Sequence, residues 1–166
     1  MTLKGEWAHN MNRKPPPYIE TRFQVAGAEL DPDELTPLVR LQPTASGKKG
    51  DLSPKPAPGK QGQTVLEPFW RIEVARDSYS TDEGIQEILS LIWEWREALA
   101  GYLKARPSVT AGFTLMVKII YYRPVYEISL DSLRKLAYLG CDFRIDEVCD
   151  LRTSDVYDLG EYESGR

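Results

Sequence analysis

The chain has 166 residues, 42% of them hydrophobic and 28% charged, with a formal net charge of −4 at pH 7. That length fits one domain and can supply a core without disulfides or metal, while the acidic balance repels nucleic acid and anionic membrane surfaces. Two cysteines, Cys141 and Cys149, are too few for a disulfide framework and read as reduced, small apolar residues.

Residues 1–17 read as a disordered tail that ends in Pro15, Pro16 and Pro17. The tail has no apolar stretch fit for a signal peptide, and no run anywhere approaches a membrane span. A cytoplasmic location is therefore expected. From Tyr18 the chain alternates, with Ile19, Thr21, Phe23 and Val25 on one side and Glu20, Arg22 and Gln24 on the other, the pattern of a half-buried strand. A short helix follows. Asp31 is its cap, Pro32 suits its first position and Glu34 completes a capping-box spacing.

Residues 43–63 are dense in proline and glycine and show no apolar period, so a long flexible loop is expected there. The second strand covers "VLEPFWRIEVA", with Leu66, Trp70, Ile72 and Val74 on one face and Pro68 marking an edge or bulge. The longest helix starts at a Ser80–Glu83 capping box and carries Ile85, Ile88, Ile92, Trp95, Leu99 and Leu103 at helical spacing. Next comes an apolar, β-branched strand with Phe113, Leu115, Val117, Ile119 and Tyr121 on one face. A short strand, "VYEIS", leads to a helix capped by Ser129 and ended by Gly140, with Leu133, Leu136, Ala137 and Tyr138 or Leu139 toward the sheet. The last strand runs from Cys141 to Val148, and the acidic residues 151–166 read as a flexible tail. From residue 64 onward the order is β-α-β-β-α-β. The expected fold is therefore α+β: a ferredoxin-like sheet with helices on one face, extended by the N-terminal strand–helix pair.

The one histidine, His9, lies in the tail, which removes any Ser-His or Cys-His arrangement from the folded core. No nucleotide-binding, zinc or nucleophile-elbow motif occurs, and no cofactor or metal is expected. Asp, Glu, Lys and Tyr leave catalysis open, but the pattern favours a binding protein. Charge is unevenly spread: residues 44–62 hold four Lys against one Asp, and residues 142–166 hold eight Asp or Glu against three Arg. Either segment is a candidate partner surface. In "LQPTASGKKGD" the P-loop spacing fails, yet Thr44, Ser46, Lys48, Lys49, Gly50 and Asp51 offer an anion nest, with Trp70 as an aromatic wall.

The segment "VAGAELDPDELTPLVRLQPTASGKKGD", followed by a strand bearing Trp70, resembles a bacterial family known as domain of unknown function 4279. Its members carry an F-x-hydrophobic-x-G start, matched by Phe23, Val25 and Gly27. An L-x-P-x-E-h-T segment follows, matched by Leu30, Pro32, Glu34, Leu35 and Thr36. The loop P-T-x-x-x-x-K-G-D is matched by Pro43, Thr44, Lys49, Gly50 and Asp51, and a Trp stands on the next strand. The likeness covers residues 18–150 and implies an α+β domain with no accepted activity. The small acidic domain, the lack of a catalytic constellation and the charged, loop-rich periphery lead instead to the expectation of a non-enzymatic, immunity-type protein that blocks a toxin-like or other basic partner. The alternative is a small-molecule or anion-binding domain using Lys48–Asp51 and Trp70. Oligomeric state is left open.

Overall fold

The computed structural model describes residues 15–53, 62–121 and 123–149. The expected tails, up to residue 14 and from 150 on, lie outside these residues, as does 54–61 of the expected loop. The elements are β1 (Tyr18–Ala26), α1 (Pro32–Val39), β2 (Ala45–Gly47), β3 (Phe69–Asp77) and α2 (Asp82–Ile92). A 3₁₀ turn, Trp93–Trp95, then leads into α3 (Arg96–Ala105), β4 (Thr110–Ile119), α4 (Leu130–Leu139) and β5 (Asp142–Cys149).

The fold is mixed α+β, as the pattern implied, but the ferredoxin-like order does not hold. The five strands lie in the order β2-β3-β1-β4-β5. Instead of extending the sheet, β1 is its centre, antiparallel to β3 on one side and to β4 on the other along its whole length. The β3–α2–α3–β4 crossover therefore straddles β1, and β4–α4–β5 is a parallel pair. The expected strand at Val125–Ser129 is absent. Thr81 takes the backbone groups that a neighbouring strand would pair: its hydroxyl donates to Glu127 O at 2.8 Å and accepts from Glu127 N at 3.0 Å. One isolated bridge, Ser80–Val125, remains.

Alternation decides which face of the sheet is buried. Ile19, Thr21, Phe23 and Val25 of β1 and Ala111, Phe113, Leu115, Val117 and Ile119 of β4 point under the helices and are buried. Phe23 sits at the middle, 5.1 Å from the Phe113 ring centroid and 6.4 Å, edge-on, from that of Trp70. Helix α2 contributes Ile85, Ile88, Leu89 and Ile92 to this core. It approaches β1 closely because Gly84 stands over Thr21, where an added Cβ would lie 2.1 Å from Thr21 Oγ1. Cys141 packs against the same core, and burial pushes its thiol up to about 12. Burying this one apolar face supplies the main driving force for folding.

Several local expectations shift. Leu66 is 83% exposed, because β3 begins only at Phe69, after Pro68. Thr81 rather than Ser80 is the N-cap of α2, and Glu83 accepts from the Ser78 hydroxyl instead of closing a capping box. Glu34 likewise leaves its own helix start, and both its carboxylate oxygens accept from Arg106 Nη2. In α4 the Ser129 cap and the Gly140 stop hold, and Leu136 and Leu139 are buried, whereas Leu133 and Tyr138 face outward.

Candidate functional site

The loop singled out in the sequence is built into the frame. Residues 45–47, expected without regular structure, form β2 on the edge of β3. Thr44 secures its start: its N–H donates to Arg71 O at 2.8 Å, and its hydroxyl accepts from Glu73 N at 3.0 Å. Ser46 lies exposed on β2, in register with Trp70. The chain then turns over Lys48–Asp51, and Gly50 takes a φ of 94°, a left-handed value that suits glycine. Asp51 N–H donates to Lys48 O, Lys48 N–H donates to Asp51 Oδ2, and Gly50 N–H donates to Val65 O. Three N–H groups that an anion nest needs are thus committed, two inside the turn and one to Val65.

The charged and aromatic members are committed as well. Lys48 Nζ lies 2.6 Å from Asp33 Oδ2 and 3.2 Å from Asp31 Oδ1, bracing the start of α1. Asp31 accepts from Asp33 N–H, and this bond, followed by Lys48, holds its carboxyl below the ordinary carboxylate value. Lys48 is held above the ordinary lysine value, first by Asp33 and then by Asp31. Trp70 is fully buried. Its indole N–H donates to Thr36 Oγ1 at 3.1 Å, and that hydroxyl donates to Pro32 O at 2.8 Å. Lys49 alone among the predicted charged residues projects outward with no hydrogen bond or ion pair to the described residues.

The other face of the sheet is free of helices. On it β1 presents Tyr18, Glu20, Arg22 and Gln24, β4 presents Thr114, Met116 and Lys118, and β5 presents Asp142, Arg144 and Asp146, all aligned by strand register. Its middle is tied by ions. Arg22 Nε lies 3.0 Å from Glu73 Oε1 across to β3, and Arg22 Nη2 lies 3.0 Å from Glu20 Oε1. Arg71 Nε is 2.8 Å from the same Glu73 oxygen, but its N–H is not aimed along that line, so the contact is an ion pair rather than an aligned hydrogen bond. Desolvation, the leading cause, lowers the Arg71 pKa, and its guanidinium stacks 5.1 Å from the Phe69 ring.

Two shallow grooves flank this network. One is polar, lined by Gln24, Thr110, Thr114, Asp142 and Arg144. The other, lined by Tyr18, Met116 and Val148, is mainly apolar. The face thus has an ordered charged centre, with a polar groove on one side and an apolar groove on the other. The alternation of β1 and the apolar face of β4 were legible in the sequence, but their other side was given no role there. The signal for a surface, that these polar residues stand side by side, depends on strand order.

The residues that matched the family pattern now form one connected structure. Leu30, Pro32 and Leu35 are buried, Thr36 holds Trp70, Thr44 pins β2, and Gly50 and Asp51 make the turn. Gly27 completes it, since a Cβ there would lie 2.1 Å from Ser108 O. The model of domain of unknown function 4279 matches residues 18–150. The chain belongs to the DUF4279 family. No curated protein and no solved structure matches it. In this DUF4279 chain the signature positions, Lys49 excepted, serve the frame. No described helix is long and apolar enough to cross a membrane.

Proposed function

We propose that the chain is a non-enzymatic protein-binding domain of the immunity type. It blocks a toxin-like or other basic partner by laying the helix-free face of its sheet against it. The observation that carries this reading is the organisation of that face, in which an ion network fixed by Glu73 lies between a polar and an apolar groove. A pre-ordered surface of this kind loses little side-chain entropy on docking. The net charge of −4 favours steered encounter with a basic partner.

The test is capture from lysate of the source cells with the wild-type chain, a Met116→Asp/Thr114→Arg variant and a Lys49→Glu variant, each checked for an unchanged melting temperature. The reading expects one stoichiometric partner, lost with the sheet-face variant and kept with Lys49→Glu. A second reading, anion binding at the loop, rests on Lys49 as the charged signature residue with no internal partner. Loss of the partner with Lys49→Glu alone would favour that loop. Absence of any specific partner would contradict the main reading.

A further inference from the structure

The two edges of the sheet are unequal. At one, β2 is three residues long; at the other, β5 runs for eight and pairs only with β4 among the described residues. No described backbone group outside β4 bonds to it. A long open edge is a template for another strand, and β5 carries apolar surface with it, Ile145 being 38% and Val148 51% exposed.

Charge indicates which strand fits. Edges guarded against association carry charge that repels a second copy, whereas the helix-free side of β5 alternates sign about Ile145, as Asp142, Arg144 and Asp146, and the one charge on its other side, Glu147, is held within the chain by Tyr126 and Arg123. Arg144 and Asp146 lie on the helix-free face, their side chains 71% and 47% exposed and, among the described residues, joined to each other at 3.3 Å. We infer that β5 pairs antiparallel with β5 of a second copy about a two-fold axis at Ile145. In that register Arg144 of each chain faces Asp146 of the other, and the two Ile145 side chains meet. A shift of two residues either way places Arg144 against Arg144 or Asp146 against Asp146, and like charges directly opposite destabilise a sheet. The contact is isologous and closes, as a two-fold interface must. It goes beyond the binding reading, and joins two helix-free faces into one continuous surface.

The test is sedimentation equilibrium of the full chain over a range of concentrations, with far-UV circular dichroism confirming that each variant is folded. The wild type is expected to dimerise. Arg144→Asp and Asp146→Arg, which set like charges opposite at two places, should each weaken the dimer about tenfold or more. An equimolar mixture of the two variants should recover wild-type association, because one then presents two acids to the other's two bases. A wild type that stays monomeric throughout would overturn the inference. So would single variants that dimerise as the wild type does, or a mixture that fails to recover. None of these outcomes depends on finding a partner protein.

Discussion

Trp70 and Lys48 show how single residues that look functional in sequence become structural when their neighbours are known. The indole N–H of Trp70 has the Thr36 hydroxyl as its acceptor in a fully buried position. Removing that acceptor leaves a buried donor unsatisfied, which costs about 1–3 kcal/mol. Thr36→Val should lower stability by that amount in urea unfolding, and an unchanged midpoint would contradict the assignment. Lys48 makes a pH-dependent contribution whose sign is fixed by both partners. Its own pKa is raised above 10.5, so its stabilisation is complete below 10.5 and is lost as pH rises through the higher folded value. The pKa of Asp31 is lowered below 3.8, so its share is present above 3.8 and is lost as pH falls through the lower folded value. Melting temperatures of wild type and Lys48→Met should therefore differ by a constant amount across about pH 5–9 and converge toward both extremes. A gap that does not close at either end would argue that Lys48 acts through packing alone.

The helices and strands divide by how local their causes are. β1 and β4 were legible because alternation is a property of adjacent residues, and the Ser129 start and Gly140 stop of α4 were legible because capping chemistry is local. β2 was not. Three residues carry no period, and what makes them a strand is Thr44 bound to β3, a partner well separated in sequence. The strand expected at 125–129 failed for the converse reason, since the Thr81 hydroxyl replaces the neighbour that alternation alone assumes. Gly84 belongs to this scale. Alanine there gains up to about 1 kcal/mol in helix propensity, but its methyl would drive α2 into Thr21. Gly84→Ala should destabilise by about 1–3 kcal/mol, as overpacked cores do. Adding Thr21→Ala should recover part of that loss. A stabilised Gly84→Ala would mean that propensity, not the close approach, governs this position.

For the whole molecule, strand order is what the sequence concealed. Which strand lies centrally depends on pairing between distant segments, and β1, first in the chain, becomes the middle of the sheet. That placement sets Arg22 beside Glu73 and Met116 beside Glu20, creating a surface no linear pattern displays. The family signature was legible as residues but not as a scaffold, because its parts meet only where α1, β2 and β3 converge. The proposed binding function lies instead on the helix-free face of the sheet, which β3 shares through Arg71 and Glu73. Hydroxyl-radical footprinting of the chain, alone and with its captured partner, tests this assignment most directly. Tyr18 and Met116 on the helix-free face should lose reactivity in the complex while Lys49 keeps its own. Protection of Lys49, with Tyr18 and Met116 still fully reactive, would move the binding site to the loop and contradict the assignment.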